Sequence, residues 1–379
     1  MIKLGIRYNL FYPGMLILST LFREIDTKIM KDIIGFEKNT LLLSLIMFFS
    51  EIISGLIFYK MNINFLSKYE KKNKEFEYMK IQLIQEEYNE MIRNDSEIKI
   101  FFLIFLIAFY DFMEFSIKTY FLPQFNDISD SLVVRLRNIV TISSTLLCYY
   151  LYKFPLYKHH KISLLIIFIC LILIIFLEYL ENLEEKLDIL TLIIFTIILE
   201  HFFNSFKDVI EKYILEYDNI NPFQALMIEG IFGFIMTCIY LIEDHPFDEI
   251  KDFFKDNKDE KFKIAGLIIC LIFYFLFSGG KNIYRILTNK LYSPITKGSS
   301  DSILDPFLIG IYYYSDFKNT FQFICNLILS IIMDFWVCVY NELFVLFCCN
   351  LEHDTYIIVS MRAAMNEILG DDNDSDSDD

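Results

Sequence analysis

Residues 162–180 read ISLLIIFICLILIIFLEYL, with Ser163 and Glu178 as the only polar interruptions. A hydrocarbon core about 30 Å thick needs roughly 20 apolar residues at 1.5 Å each. The run comes close to that length, contains no proline, and has no polar face to turn toward water. A chain of 379 residues cannot hide several such stretches inside a soluble globule. The reading that follows is an integral, multi-pass membrane protein.

Working outward, similar stretches fall at roughly 8–24, 40–60, 98–120, 131–152, 188–207, 222–242, 263–281, 301–315 and 320–347. With 162–181 they make ten. The first is short, and the ninth carries Asp301, Asp305 and Pro306. Lipid cannot satisfy free backbone groups, and no alternating ten-residue pattern points to a barrel. The expected class is therefore all-α and polytopic, with about ten transmembrane helices. The N-terminus resembles a signal peptide only superficially: Pro13 interrupts its apolar run, no small-x-small cleavage site follows, and it reads as an uncleaved first span.

Composition supports this class. The chain is 55% hydrophobic, 17% aromatic and 22% charged, with a mean hydropathy of +0.42. Its net charge of −16 argues against nucleic acid as a partner. Six of the negatives are Asp371, Asp372, Asp374, Asp376, Asp378 and Asp379, in a tail over 351–379 that composition marks as disordered and cytosolic. The eight cysteines show no CxxC or Cys/His spacing, so no zinc site or other metal is expected. Most serve as small apolar residues within spans, with palmitoylation of Cys348–Cys349 a weaker alternative. No HExxH, GxSxG or P-loop appears, and neither enzyme chemistry nor a cofactor is expected. The polar connection 61–97 reads as a surface helix and 243–262 as a short interfacial one.

Thr145–Tyr152 (TLLCYYLY) and Pro306–Tyr313 (PFLIGIYY) each precede a short turn and another span, at a gapless offset of 161 residues. Two five-span repeats, about 8–181 and 188–347, follow within a transmembrane domain over 1–350. An odd-numbered repeat reverses direction across the membrane, so the pair is inverted, with a substrate site expected between the halves. Alternate connections on the N-terminal side hold 20 Lys and Arg against 14 opposite, which favours both termini in the cytosol.

Charges within spans are the candidate site, because each costs about 2.5–3.5 kcal/mol at a span centre unless water or a partner meets it. Asp111, Glu114 and Lys118 share one face of the third span, as a hydrated wall or as a compensated structural cluster. Arg135 and Arg137 open the fourth; they either clamp an anion or, being near its start, snorkel to the interface. Glu200, Asn204, Lys207 and Asp208 share a face of the sixth, where a solvated helix end accounts for Lys207 and Asp208. Glu200 and His201 lie deeper and admit proton coupling. In the seventh, Glu229 sits beside Gly230 and Gly233, which allow close helix approach, and it reads as a hydrogen-bonded structural carboxylate, with a substrate contact as the alternative. Residues 279–306 form a small-residue junction with Lys281, Ser300, Asp301 and Asp305. A plain loop explains its first half, while a substrate-lining hairpin is needed for its second. Asp334 adds a carboxylate to the tenth span. His159 and His160 sit in a polar turn and read as hydrated.

MIEGIFGF (227–234) and TNKLYSPITKGSSDSI (288–303) resemble the drug/metabolite transporter superfamily, and within it the F-type branch of solute carrier family 35. Glu229, Gly230, Phe232 and Gly233 match its Glu-Gly-hydrophobic-Phe-Gly signature. Thr288, Lys290, Ser293 and Asp301 approximate its stretch leading into the ninth span, and RLRNIVTISSTLLCYYLYK (135–153) is similar too. The resemblance covers about residues 8–347. It implies ten helices in two inverted repeats, cytosolic termini, and alternating access to a central cavity. A Gly-Ala-Leu-Asn-Lys motif of nucleotide-sugar selectivity is absent, and GGKN (279–282) is too loose to replace it.

The expected function is secondary-active transport of a small polar organic solute, coupled to a proton or a counter-substrate, in an endomembrane rather than the plasma membrane. Its partners are that small-molecule substrate and the lipid bilayer, with a homodimer as the candidate assembly. The alternative is a non-transporting scaffold that acts through its acidic tail.

Overall fold

The computed structural model describes residues 11–34, 40–60, 97–117, 130–154, 156–181, 187–216, 220–240, 251, 253–255, 257, 260–311, 320–344, 346, 351, 355 and 358. No strand occurs among them. We number the helices α1 (Phe11–Ile29, continued by a π-turn over Met30–Ile34), α2 (Thr40–Lys60), α3 (Glu97–Ser116), α4 (Asp130–Arg135), α5 (Ile139–Tyr152) and α6 (Lys158–Glu181). They continue with α7 (Leu187–Glu216), α8 (Pro222–Tyr240), α9 (Lys261–Leu291), α10 (Pro294–Ser302), α11 (Asp305–Ile311) and α12 (Thr320–Tyr340).

Among the described residues, seven helical segments are long and apolar enough to cross a membrane: α2, the α4–α5 run from Leu132, α6, α7, α8, α9 and α12. This fits a multi-pass membrane protein. The expected first, third and ninth spans fall short of that standard for visible reasons. α1 carries Arg23, Glu24, Asp26 and Lys28, and α3 carries Glu97, Lys99, Asp111 and Glu114. The ninth is broken into α10 and α11, because Pro306 lacks an N–H and its ring opposes the carbonyl four residues back, at Ser302 where α10 ends.

Two helices overrun their expected limits. α7 extends to Glu216 and α9 to Leu291, so residues 279–291 are helix and the loop reading of that stretch is corrected. Charges that looked like span ends are mid-helix instead. The segment 61–96, most of 241–259, Lys118, Cys348–Cys349 and the acidic tail from 359 lie outside the described residues; 251 and 253–255 are helical.

The principal helix pairs are α2 with α8, α1 with α9, α3 with α7, α6 with α12, and α5 with α7; α2 also meets α9, and α3 meets α8. Shorter contacts join α5 to α10, α1 to α10, α4 to α11, α5 to α6, and α11 to α12. The exterior is apolar, as a bilayer requires: Leu165, Phe168, Ile172 and Phe176 on α6, and Ile324, Ile328 and Ile331 on α12, all point outward. Between α4, α6, α7 and α12 lies an apolar core of Leu132, Leu136, Ile167, Ile174, Ile197, Met333 and Val337. A second, from α1, α3, α7, α8 and α9, contains Tyr12, Ile107, Ile214, Leu226 and Ile286.

Candidate functional site: a buried ionic network

α7 turns a polar stripe into the bundle. Glu200, Asn204, Asp208 and Glu211 follow one another at steps of four, four and three, so they share a face. On α9 the same rule aligns Lys281, Arg285 and Asn289 at steps of four. The two stripes meet, and α3, α8 and α10 close around them.

Arg285 donates from Nη2 to both carboxylate oxygens of Glu229, at 2.9 and 2.8 Å, and lies 3.7 Å from Glu211. Asn289 donates to the Glu211 carboxylate at 2.7 Å and to the backbone carbonyl of Asp208 at 2.8 Å. Lys297 continues the chain. It is 2.8 Å from Asp208 and 3.2 Å from Asp301, and it donates to Asn204 at 3.1 Å. Arg137 donates to the Asp301 carbonyl at 3.1 Å and pairs with Asp305 at 3.0 Å. On the α3 side, Lys207 donates to Asp111 and lies 3.7 Å from Glu114. An uninterrupted ladder of ionic and amide contacts therefore runs from Glu229 to Asp305. Its charged side chains, Arg137 apart, are buried.

Burying an ion costs several kcal/mol even after relaxation, and only close pairing with satisfied hydrogen bonds offsets it. Arg285 reaches both Glu229 oxygens through one nitrogen, and charge-assisted hydrogen bonds of this kind are stronger than neutral ones. The expectation that Lys207 and Asp208 sit at a solvated end is overturned, because α7 continues two turns beyond them and both are buried.

The structure sorts the remaining sequence candidates. Asp111, Glu114, Asn204, Asp301 and Asp305 join the network. Lys281 is half-buried on the same α9 stripe, within electrostatic range of Arg23, Asp301, Lys297 and Glu114. Ser300 turns its hydroxyl back to the Thr296 carbonyl at 2.8 Å, which satisfies it within α10. Glu200 pairs with His201 at 3.1 Å, and His201 reaches the Val133 carbonyl at 3.2 Å. Asp334 is half-buried on α12, beside Asn138 and Asp305. Arg135 does not snorkel: it is 2% exposed, 2.9 Å from Glu178 and 3.2 Å from Asn326. A polar partner on each of α6 and α12 holds it inside. Lys118 lies outside the described residues.

Glu229 pairs with Arg285 rather than standing alone, and its neighbours set the α2–α8 approach. A Cβ at Gly230 would lie 2.9 Å from the Cβ of Glu51, and one at Gly55 would lie 2.9 Å from the Met227 nitrogen. At Gly233 it would enter the Phe48 ring. His159 and His160 are buried at the start of α6, so the hydrated-turn reading is corrected. Their rings lie 4.0 Å apart, and His159 is 3.5 Å from Glu342.

Sequence reasoning missed Glu51, Glu211, Arg285, Asn289 and Lys297. The periodicity of α7 and α9 carried the signal for three of them. Lys297 had a local signal in Asp301 four positions on, but its contacts with Asp208 and Asn204, and the approach of Glu51 to Asp111 and Glu229, join residues distant in sequence, which no local pattern reveals.

A cavity of about 510 Å³ opens between α1, α2, α8 and α9. Its walls are Phe11, Tyr12, Phe58, Phe223, Phe275 and other apolar side chains, with Ser50, Ser54, Gly279 and Gly280 as relief. It is an apolar groove beside the ionic ladder, not the chamber that holds it. No protein-family model matches this chain, and no curated protein is similar enough to be matched.

Proposed function

We propose that this protein is a secondary-active transporter that moves a small polar organic solute across a membrane by alternating access. The observation that carries the reading is the ladder from Glu229 to Asp305, whose charged and amide groups come from α7, α8, α9, α10, α11 and the turn at Arg137. Replacing buried ion pairs with apolar residues of similar size is often neutral or stabilising. A bundle that keeps this many is using them, and intramembrane ionisable groups mark substrate and ion pathways.

The helix pairing supports two inverted repeats of five segments: α1, α2, α3, α4–α5 and α6, then α7, α8, α9, α10–α11 and α12. Exchanging each segment for its counterpart in chain order turns α1–α9 into α7–α3, α2–α9 into α8–α3, and α5–α10 into α11–α4. It leaves α2–α8 and α6–α12 unchanged. All of these pairs are in contact. Both fourth segments are broken helices, the feature that marks substrate sites in inverted-repeat transporters. In this reading α5, α7, α9 and α10 line the pathway, and the buried network is its occluded form.

The test is uptake by proteoliposomes of the purified full chain against a panel of nucleotides, sugars, amino acids and organic acids. One class should accumulate above protein-free vesicles, and Lys297→Met or Asp301→Asn should abolish it. A panel that moves no faster than in empty vesicles would overturn the reading.

A further inference from the structure

We propose that Glu51, Asp111 and Glu229 form a binding site for one monovalent cation, a proton or a sodium ion, with Glu51 as the group that takes it. Glu51 projects from the middle of α2, is 0% exposed, and has no hydrogen-bond partner on either carboxylate oxygen. Oxygens of Glu51, Asp111 and Glu229 lie within 4.8 Å of one another. Three helices thus deliver three carboxylates to one point.

The cations nearby are committed elsewhere. From α9, Arg285 grips both oxygens of Glu229; from α7, Lys207 donates to Asp111. The groups that face Glu51 are therefore Asp111 on α3, Glu229 on α8, Arg285 and Lys207. Two positive charges balance two of the three negatives, and the charge left over is that of Glu51. A lone ionised carboxylate in an apolar interior is untenable on Born grounds, so it takes up a proton or a cation.

One added positive charge brings these five groups to neutrality, and Glu211, 3.7 Å from Arg285, and Glu114, 3.7 Å from Lys207, add negative charge that favours a cation further. Carboxylate-only ligation also suits hard ions and excludes metals that prefer nitrogen or sulfur. The packing against Gly230 brings Glu51 beside Glu229 at the α2–α8 crossing. If these helices part and close as the transporter reading requires, occupancy of this site biases them, which makes the cation the coupling ion. That consequence rests on the transporter reading; the binding itself does not.

The experiment is thermal unfolding of the full chain in detergent micelles, wild type against Glu51→Gln, in sodium or choline chloride of equal strength from acid to alkaline pH. A carboxyl that holds its proton more tightly folded than unfolded contributes stability that is lost as pH rises. The wild-type midpoint in choline should therefore fall with pH. Recovery in sodium identifies sodium as an occupant, and indifference to sodium identifies the proton. Glu51→Gln, neutral throughout, should lose the part of the pH dependence that wild type shows and ignore sodium. A variant that tracks wild type in both respects overturns the proposal.

Should the variant fail to fold, wild type is treated with dicyclohexylcarbodiimide, which modifies protonated carboxyls in apolar surroundings, and the peptides are mapped. Label on Glu51 at acid pH, declining toward alkaline pH or with sodium, supports the site. Acid-pH labelling of other intramembrane carboxyls but not Glu51 overturns it. Both readouts omit any solute, so the cation site and the transport reading can fail independently.

Discussion

Two helix pairs cross the bundle in equivalent ways, and their interiors have opposite chemistry. α2 and α8 meet at Gly55, Gly230 and Gly233, close enough that a single added carbon collides, and they bury Glu51 and Glu229 between them. α6 and α12 meet through Ile167, Ile174, Met333 and Val337, with the ionic contact of Arg135, Glu178 and Asn326 beside them. Lipid tails are as apolar as leucine, so oily contact alone gives no drive to associate in a bilayer. The first pair is held by close van der Waals contact, with Glu229 tied to Arg285 on α9, and both are intolerant of change. The second is held by interchangeable bulk. The difference teaches where function sits: specificity is concentrated in the close, charged crossing, and the bulky crossing supports it.

The largest expected effect breaks the charged crossing. Arg285→Met leaves Glu229 and Glu211 buried without their partner, and removing one member of a buried pair costs about 3–5 kcal/mol. Thermal unfolding in detergent should show it as the most destabilised variant. Adding Glu229→Met should return part of that loss, because the orphaned charge goes too. Next comes Gly233→Leu, which drives a side chain into the Phe48 ring. Overpacking costs about 1–3 kcal/mol, and uptake should fall further than folding yield, since the crossing carries the proposed cation site. Equal losses of yield and uptake would reduce the crossing to a structural contact.

How much of this could be read beforehand follows the same divide. Segments with a single charge in their interior were legible to within a residue or two: α2 was expected at 40–60 and spans Thr40–Lys60, and α8 starts at Pro222 as anticipated. The glycines of α8 were legible as an approach surface because small residues have few other uses there. Helices that carry the ladder were misjudged. A window of hydropathy treats Lys207 or Arg285 as an exit from the membrane, yet each is retained by a carboxylate on another helix, 96 and 56 positions away. Arg135 was misplaced for the same reason, since Asn326 lies 191 positions on. Local pattern fixes which side chains share a face; it cannot say what the face meets.

The Lys207–Asp111 pair sharpens the comparison at smaller scale. A double-mutant cycle with Lys207→Met and Asp111→Asn should give a coupling energy within about 0.5–3 kcal/mol. Either single variant should cost more than the double, because each leaves one charge without its partner. Uptake should fall in all three, since the hydrogen bond lies beside Glu51. Additive stability effects would mean that the two groups act on separate partners.

The smallest effect is expected at the other crossing, and it makes the control. Met333 is fully buried in α12 against the α6 surface. Met333→Leu conserves volume and apolarity, and such swaps cost under about 1.5 kcal/mol. No polar group depends on that thioether, and no element of the ladder touches it. Uptake per folded molecule should therefore equal wild type, even where the unfolding midpoint drops slightly. A variant that folds normally but transports poorly would show that α6–α12 packing changes during the cycle. The bulky crossing would then be a moving interface, and the division between a working pair and a supporting pair would have to be redrawn.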